Sequence, residues 1–489
     1  LPSRVGPRSA SAAAPRPDIL LLMPDQFRGD CLSAVGHPVV KTPTLDALAA
    51  EGALFRRAYS TTPSCIPARH ALLTGQFPQT SGVVGYALRP LRAPTLPALL
   101  VKAGYAAVLV GRNMHQSPES GLLGYERQFL GSTYISGDVY DEELKAKVPE
   151  SGGIRAIINQ LQVDTNRWPA KAWPLAEELH PTNWVVRKSR EIVAETPAAQ
   201  PLFLTASFYA PHPPLFPPER LFEKYLKADL PPVAMGAWVE KEKLKPEGDK
   251  SGQRVLLEGD MLRRAQAGYF GLIEHLDEQL ALLIADFKAR SVRAGRPWAI
   301  VVTTDHGEML GDHGYFRKCE PYEGSANIPL LFAGARELGF ARGVRSHAPV
   351  GLEDILPTLL ALAGAKPPEK VDGRDLAPVL RGDKSARVRD WLHFEHSPIY
   401  SPDQGFQALT DGRWKYIWRT NSGREQLFDL EADPREQNDL SASADHRATL
   451  EKWRGTMIER LKARPEGFVQ DGKLVAGRKY VALHPLPKS

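Results

Sequence analysis

Four short segments of the chain are apolar throughout or nearly so. Strands that are buried on both faces of a parallel sheet have this pattern, because neither of their faces meets solvent. Segments with the helical spacing of apolar residues lie between and after them. This alternation predicts an α/β fold, with a large, mostly parallel sheet sandwiched by helices. The predicted strands are Asp18–Met23, Ala106–Val110, Pro201–Phe208 and Trp298–Thr304, and the predicted helices are Thr44–Ala53, Thr95–Ala103, Asn183–Glu195, Met261–Lys288 and Leu352–Ala363.

The pattern changes near residue 385. Several short segments with strand character follow, and Thr410-Asp411-Gly412 predicts a turn between the first two. We therefore predict a main catalytic α/β domain at 18–384 and a small C-terminal α+β subdomain at 385–489 with a short antiparallel sheet. Its predicted strands are Phe406–Thr410, Trp414–Trp418 and Gln426–Leu430, and its predicted helix is His446–Arg464.

Two further segments differ from the main pattern. Residues 138–260 are rich in Pro, Lys, Glu and Trp and show weak periodicity, so we expect a substrate-side insertion of loops and short helices. Residues 1–17 predict a flexible leader or a processed N-terminus, with a cloning boundary as the alternative. Small residues at Ser9–Ala14 resemble the end of an export signal. They favour a periplasmic or secreted protein over a cytoplasmic one.

Composition narrows the class of protein. The 489 residues are 43% hydrophobic and 24% charged, which is typical of a soluble globular chain and excludes a disordered one. The net charge of +5 is small for this length, so we expect no nucleic-acid partner. No apolar run approaches the roughly 18 residues of a membrane span. Composition leaves the oligomeric state open.

Each of the four predicted strands is followed directly by polar or charged residues. In open parallel sheets, ligands bind in the crevice beyond the carboxyl ends of the strands. If the four strands share one sheet, these side chains converge in that crevice. In chain order they are Asp25, Gln26, Arg112, His115, His212, Asp305 and His306.

Four of these residues carry donor atoms that divalent cations take in proteins. Asp25 and Asp305 offer carboxylates. Gln26 offers an amide oxygen and His306 an imidazole. Hard cations prefer oxygen ligands, whereas imidazole also suits transition metals. We therefore predict a four-ligand metal site at this edge of the sheet, with cap or loop contacts as the alternative for any single residue.

One of the three cysteines lies in an unusual local sequence. Cys65 is at the start of a predicted short helix, with Pro67 suited to the first helical position and Gly75 to the end. The N–H groups and the dipole of a helix N-terminus favour negative charge there. Arg69, one turn later, adds a cation. This setting favours a reactive cysteine, and a small buried hydrophobic residue is the alternative.

This segment resembles the signature of the type I sulfatases of the alkaline phosphatase superfamily. That signature is Cys-x-Pro-Ser/Ala-Arg followed shortly by Thr-Gly, and Cys65–Arg69 with Leu72–Gly75 fit it. Ile66 departs, since a small residue is more usual there. The resemblance implies that a formylglycine-generating enzyme oxidises Cys65 to formylglycine, whose hydrated aldehyde is the nucleophile.

Other segments resemble further parts of the same family. Arg112 stands where the family has Lys, and this chain has one extra residue before His115. Arg and Lys are both cations, but the guanidinium of Arg is planar and forked, whereas the ammonium of Lys is a point charge. The remaining matches are Gly104-Tyr105, Phe208–Pro214 around His212, Asp305–Glu308, Gly311–Gly314, Lys318 and Gln426–Leu430.

The resemblance implies hydrolysis of a sulfate ester and gives the site residues roles. Arg69 and the metal would neutralise the anionic oxygens of the group under attack. Asp305 would accept a proton from the nucleophile, and His212 and Lys318 would protonate or stabilise the leaving oxygen. His115 would remove the proton from the remaining hydroxyl, which expels sulfate and regenerates the aldehyde. The expected substrate is a small-molecule or glycan sulfate ester.

The ligand set bears on the metal and on a rival activity. Three of the four ligands offer hard oxygen, so calcium is expected, with manganese as the alternative because of His306. Most sulfatases have a second Asp where Gln26 stands. Related phosphonate monoester and phosphodiester hydrolases carry Asp-Gln and Asp-His pairs, yet they tend to have Tyr and Thr where this chain has Arg112 and His115. A third reading is an anion-binding homologue in which Cys65 stays a thiol.

Overall fold

The computed structural model describes residues 15–115, 121–131, 133 and 135–485. Most of the predicted leader therefore lies outside the described residues. The strands within this part of the chain are β1 (Asp18–Asp25), β2 (Ala53–Phe55), β3 (Ala58–Tyr59), β4 (Ala106–Gly111), β5 (Arg127–Leu130), β6 (Leu202–Pro211), β7 (Trp298–Thr303), β8 (Leu330–Gly334), β9 (Val344–Ser346), β10 (Val350–Gly351), β11 (Leu392–His396), β12 (Phe406–Thr410), β13 (Trp414–Arg419), β14 (Glu425–Asp429), β15 (Val469–Gln470) and β16 (Lys473–Leu474).

Helices alternate with these strands over most of the chain, as the apolar periodicity predicts. The helices of the described residues are α1 (Pro43–Glu51), α2 (Cys65–Thr74), α3 (Pro78–Ser81), α4 (Leu96–Lys102), α5 (Val139–Lys147), α6 (Ile154–Leu161), α7 (Pro181–Glu195), α8 (Glu219–Leu226), α9 (Gly259–Arg293), α10 (Glu323–Ala326), α11 (Ile355–Leu362), α12 (Ala377–Leu380) and α13 (Arg447–Leu461).

One large sheet carries the molecule, with the strand order β5-β4-β6-β1-β7-β8-β2-β9. The four predicted strands are its central neighbours β4, β6, β1 and β7, and all three pairings among them are parallel. Strand β8 runs antiparallel to both β7 and β2. The prediction of a mostly parallel sheet is confirmed. The other strands of this sheet were not predicted: β2, β5 and β9 have three or four residues each, and β8, although apolar, has only five.

Both faces of this sheet are buried, which explains why its central strands are apolar at every position. In β1, Leu20 and Leu22 pack into the hydrophobic core formed with α7 and α9. Ile19, Leu21 and Met23 point to the opposite core, which includes α2, α4 and α11. Each of these five side chains is fully buried. A continuous apolar run is the pattern that such a two-sided environment requires.

The C-terminal part forms a separate antiparallel sheet in the order β11-β12-β13-β14. Helix α13 covers one of its faces through Trp453 and Met457. The turn predicted at 410–412 joins β12 to β13. The α+β character predicted for this region is confirmed, and the sheet has β11 in addition to the three predicted strands.

The range 138–260 holds more than loops and short helices. It contains α5, α6 and α8, as predicted, but α7 and β6 within it are part of the main sheet assembly. The domain division at 18–384 and 385–489 stays a prediction. Among the described residues, no helix is long and apolar enough to cross a membrane. All three cysteines are buried and free.

Candidate active site

The polar residues predicted at the strand ends meet at one edge of the main sheet. Asp25 is the last residue of β1, and Asp305 and His306 follow β7. Arg112 follows β4 and His212 follows β6. All five are buried. Because β4, β6, β1 and β7 are parallel neighbours, their carboxyl ends open on the same crevice, and the predicted convergence is confirmed.

Two backbone features shape this edge. Gly111 ends β4 with φ +99°, and a Cβ there would lie 1.9 Å from the carbonyl oxygen of Ser207 on β6, so only glycine fits. Gln26 has φ 65°, which turns the chain away from β1. Its backbone N–H donates to Asp305 Oδ1 at 3.2 Å, and its carbonyl accepts from the Tyr269 hydroxyl at 2.6 Å. These bonds hold the left-handed conformation in place.

Cys65 is the first residue of α2, as the sequence predicts, and Gly75 ends the helix with φ 66°. Pro67 is not at the first helical position but at the third. Proline is tolerated there because the first N–H groups of a helix have no intrahelical acceptor. Arg69 lies one turn beyond Cys65 and is fully buried.

Four side chains form a cluster with metal-ligand chemistry. Asp25, Cys65, Asp305 and His306 each offer one donor atom, and these atoms lie within 4.8 Å of one another. Asp25 Oδ1 is buried and has no hydrogen-bond partner within the described part of the chain. Burial, together with Asp305 and Cys65, raises the pKa of Asp25 to about 6 despite two nearby arginines. The cluster therefore has a surplus of buried acceptor atoms, which a divalent cation fits.

His306 is oriented as a metal-ligating histidine should be. Its Nδ1 lies 3.0 Å from the carbonyl oxygen of Gly307, and since a carbonyl can only accept, Nδ1–H is the donor. The other ring nitrogen, Nε2, faces the cluster and lies 3.2 Å from Cys65 Sγ. Asp305 and Cys65 raise the pKa of His306 against the effect of burial, so an ion that binds to Nε2 would displace a proton from it.

Gln26 also faces the cluster. Its Oε1 accepts from Lys318 Nζ at 2.8 Å, and its Nε2 donates to Glu308 Oε2. Glu308 lies in the Asp305–Glu308 motif, but the motif alone predicts no role for its side chain. In the structure its carboxylate fixes which end of the Gln26 amide points into the site. That Gln26 ligates a metal stays a prediction.

Two buried arginines hold the carboxylates of the cluster. Arg69 Nε donates to Asp305 Oδ2 at 2.9 Å, and its NH2 donates to Asp25 Oδ2 at 3.0 Å. Arg69 NH1 reaches the carbonyl oxygen of Asn113 at 3.0 Å. Arg112 forms an ion pair with Asp25. Arg69 therefore acts first as a positioning residue, and its predicted contact with substrate oxygens stays a prediction.

Lys318 joins the two sides of the site. Its Nζ lies 3.3 Å from Cys65 Sγ and 2.9 Å from His212 Nε2. His212 Nδ1 lies 2.7 Å from the Pro213 carbonyl oxygen, so Nδ1–H donates and Nε2 accepts from Lys318. Burial and Lys318 hold the pKa of His212 well below its usual range, so its ring is neutral.

The charges around Cys65 favour an anion at that position. Burial alone would raise the pKa of its thiol, yet Lys318 and His306 bring it well below the usual value, and His115 also contributes. Asp305 shows the same balance. Burial opposes its ionisation, but His306 and Arg69 keep its pKa well below the usual range.

His115 lies at the mouth of the site in a left-handed conformation, with φ 55°. Its Nε2 lies 3.2 Å from Arg112 NH2, and since guanidinium can only donate, Nε2 is an acceptor. Burial and Arg112 lower the pKa of His115, although Cys65 opposes this. The ring is therefore a neutral base near the cysteine.

A cavity of about 790 Å³ opens above these residues. Cys65, Arg112, His115, His212 and Lys318 all line it. Its outer walls come from distant parts of the chain, among them Tyr86, Arg155, Tyr209, Arg317 and Tyr400. The volume is in the usual range of a small-molecule site.

Comparisons with known proteins agree with this geometry. The family model described as Sulfatase matches residues 17–365, and the model described as N-sulphoglucosamine sulphohydrolase, C-terminal, matches residues 311–463. An arylsulfatase of Clostridium perfringens is 34% identical over 94% of this chain and 98% of its own length. A choline-sulfatase of Rhizobium meliloti is 30% identical over 87% of this chain and 82% of its own.

Solved structures show the same architecture. A phosphonate monoester hydrolase of Agrobacterium radiobacter has a TM-score of 0.75 and 26% identity, and covers 92% of this chain and 96% of its own. The first family model spans most of the chain, and the arylsulfatase match extends over nearly its whole length. The chain therefore belongs to the sulfatase family, the type I sulfatases of the alkaline phosphatase superfamily.

Proposed function

We propose that this enzyme hydrolyses sulfate monoesters, with formylglycine derived from Cys65 as its nucleophile and a divalent metal beside it. Family membership and the arylsulfatase relative support sulfate ester hydrolysis. The observation that carries the proposal is the setting of Cys65. It begins α2 with Lys318 Nζ at 3.3 Å and His306 Nε2 at 3.2 Å, at the floor of the cavity.

The residues present fit a divalent cation held by Asp25, Gln26, Asp305 and His306. The orphaned Oδ1 of Asp25 and the Nε2 of His306 both point into the cluster. When bound, such a cation supplies Lewis-acid stabilisation of the anionic oxygens, and formylglycine supplies a hydrated aldehyde as nucleophile. Oxygen predominates among the donors, so we expect calcium, with manganese as the alternative.

Lys318 is placed to act on the leaving oxygen. Its ammonium donates to His212 Nε2, and His212 is fixed by Pro213, so the two residues work as one unit. His212 is neutral and has its Nδ1 proton engaged, which leaves Lys318 as the proton donor that faces the cavity. His212 would position that donor, while the proton passes from Lys318 to the leaving oxygen and leaves a neutral amine.

His115 is placed to complete the reaction. Its neutral ring has Nε2 as an acceptor and lies beside Cys65, so it can take the proton of the remaining hydroxyl. Removal of this proton expels sulfate and restores the aldehyde. Arg112, which pairs with Asp25 and also contacts His115, would hold the ring in place while adding positive charge near the sulfate.

Phosphonate monoester hydrolysis is the second candidate. Gln26 and His306 are the ligand pair expected for that activity, and a phosphonate monoester hydrolase has the same overall fold. Arg112 and His115 favour the sulfate ester, because this chain places a cation and an imidazole where the rival tends to have Tyr and Thr. The two activities share the metal, the nucleophile and the general acid, so the substrate decides between them.

A direct competition of substrates tests the proposal. The chain is co-expressed with a formylglycine-generating enzyme, and peptide mass across Cys65 verifies the conversion. Turnover of 4-nitrophenyl sulfate is then compared with that of 4-nitrophenyl phenylphosphonate on the same metal-loaded preparation. A higher kcat/KM for the sulfate supports the proposal. A higher value for the phosphonate overturns it in favour of the second candidate, and an unmodified thiol would indicate an anion-binding protein.

A further inference from the structure

Arg317 differs from the other buried arginines of the described chain. Six arginines are buried among the described residues, and five of them form ion pairs with aspartate or glutamate: Arg28, Arg69, Arg112, Arg290 and Arg419. Arg317 is only 5% exposed, yet it forms no ion pair with any described residue. A buried cation without a counter-ion is costly, so such an arrangement points to a ligand that supplies the charge.

The surroundings of Arg317 leave its guanidinium largely unsatisfied. Its Nε is buried and has no hydrogen-bond partner among the described residues, and Nη1 has a long contact of 3.4 Å to the carbonyl oxygen of Ser251. The guanidinium carbon lies 4.4 Å from the centroid of the Tyr400 ring. Burial lowers the pKa of Arg317, whereas Glu320 raises the pKa of the buried Arg419. The guanidinium of Arg317 therefore stacks on Tyr400 while most of its N–H groups have no short hydrogen bond to a described residue.

Arg317 lines the same cavity as Cys65 and directly precedes Lys318 in the chain. The described lining residues include four Lys or Arg side chains and no carboxylate. Of these cations, Arg112 is engaged by Asp25 and Lys318 by Gln26 and His212. Arg317 is the buried cation that the chemistry at sulfur leaves without a task.

We propose that Arg317 binds a second anionic group on the leaving alcohol, so that the preferred substrates are sulfate esters that also carry a carboxylate or a second sulfate. This inference rests on the proposed sulfate ester hydrolysis. A planar guanidinium matches a carboxylate or sulfate through two parallel hydrogen bonds. The same positive cavity disfavours a quaternary ammonium such as that of choline sulfate, because like charges repel and no carboxylate stands among the described lining residues to offset them.

Binding to a variant that cannot turn over tests this independently of catalysis. In a Cys65→Ala background, the Kd of 3-carboxyphenyl sulfate is compared by calorimetry with that of 3-carbamoylphenyl sulfate, a monoanion in which an uncharged amide replaces the carboxylate. A third probe, 1,3-phenylene disulfate, distinguishes a preference for carboxylate from one for sulfate. We expect the two dianionic probes to bind at least about tenfold more tightly than the monoanionic carbamoyl probe, as a charge-assisted pair would give.

Three further variants assign the effect to Arg317. Adding Arg317→Gln should bring the ratio of Kd values to about one, whereas Arg317→Lys should retain part of it because a cation remains. Arg155→Gln is the matched control, since Arg155 is an exposed cation lining the same cavity, and the ratio should persist. Thermal unfolding of each variant confirms that it is folded.

The outcomes separate this inference from the proposed function. A ratio near one in the parent protein, or a ratio that survives Arg317→Gln, overturns the role of Arg317. Loss of the ratio in Arg155→Gln alone would overturn it as well. Turnover of 3-carbamoylphenyl sulfate by the formylglycine-bearing enzyme is measured separately. Its absence would count against the proposed function, while the binding ratio would still decide the role of Arg317.

Discussion

Two of the cavities among the described residues are of similar size, and a buried cysteine lines each of them. The site cavity is about 790 Å³ and contains Cys65, whereas the second cavity is about 630 Å³ and contains Cys31. In the second cavity the cations are balanced by carboxylates. Arg28 pairs with Asp30 at 2.7 Å and with Asp312 at 2.9 Å.

Because of this difference, the pKa values of the two thiols shift in opposite directions. Burial and Asp30 raise the pKa of Cys31 well above its usual value, although Arg28 opposes this. Lys318 and His306 lower that of Cys65 against the effect of burial. Cavity volume therefore does not distinguish a reactive site from an inert one here. The sign of the charge that faces the sulfur does, because only a positive surrounding favours an anion.

The first prediction compares the loss of kcat on replacing each of the two cysteines. Cys65→Ala removes the proposed nucleophile and should lower kcat for 4-nitrophenyl sulfate by at least about 10⁴-fold. Cys31→Ala should leave kcat within about twofold, because the thiol acts only as a small buried hydrophobic residue. Steady-state kinetics of both variants checks this. Comparable losses in the two would contradict the assignment of the site.

The second prediction compares an aspartate of the predicted metal site with an aspartate that lines the second cavity. Asp25→Asn should remove the bound divalent metal and lower kcat/KM by about 10³-fold, because several kcal/mol of transition-state stabilisation is lost. Asp312→Asn should keep the metal and instead lower the Tm, since Asp312 serves Arg28 and Arg435 as an ion-pair partner. Mass spectrometry measures the metal content of both variants, and thermal unfolding measures the Tm of Asp312→Asn. Metal retained by Asp25→Asn would refute the predicted ligand set.

The third prediction concerns buried arginines with and without a partner. Arg419→Met should reduce the free energy of unfolding by about 3–5 kcal/mol, because Glu320, now 2.8 Å from Arg419, would lose its counter-ion. Arg317→Met should change it by less than about 1 kcal/mol, because no carboxylate is left behind. Urea unfolding of the two variants measures the difference. Equal destabilisation would show that Arg317 has a counter-ion after all.

The smallest effect is a pH dependence in the second cavity. Burial, with Arg28 and the more distant Arg435 and Lys41, lowers the pKa of His37 to about 4 despite Asp30. The unfolded chain therefore binds more protons between pH 6.5 and about 4, and the folded state loses stability as the pH falls through that window. The contribution is on the order of 1 kcal/mol for a partly buried ring.

His37→Asn isolates this contribution. An Asn Oδ1 can replace the Nδ1 that accepts from Val39 N at 3.3 Å and Val40 N at 3.0 Å, but it cannot take up a proton. The difference in unfolding free energy between wild type and variant should therefore shrink as the pH is lowered from 7 to 4.5. A difference that stays constant would place the pKa of His37 at its ordinary value.

Much of the fold was predictable because it depends on neighbours along the chain. The apolar runs predicted β1, β4, β6 and β7, and the turn at 410–412 predicted the pairing of β12 with β13. Short strands such as β2 and β9 were missed. They have three residues each, which is too few for their own pattern to predict a strand, and they are stabilised by pairing with neighbouring strands: β2 lies between β8 and β9, and β9 forms the edge of the sheet.

The site divides in the same way. The position of Cys65 at a helix start, and of Asp25 and Asp305 after strands, follows from local sequence. That Arg69 spans both carboxylates does not, because these partners lie 44 and 236 positions away. The neutral state of His212 likewise depends on Lys318, which comes from a distant loop.

Apolar periodicity, capping and turn chemistry act over a few residues, so local sequence is enough to predict the central strands, the place of Cys65 at a helix start and the types of side chain at the strand ends. Which charges have partners depends instead on how the folded chain brings distant residues together. Arg28 and Arg317 are alike as residues, yet Arg28 is neutralised by Asp312, whereas the guanidinium of Arg317 stacks on Tyr400 and forms no ion pair with a described carboxylate. Electrostatic energy depends on distance and burial in space, and neither can be read along the chain.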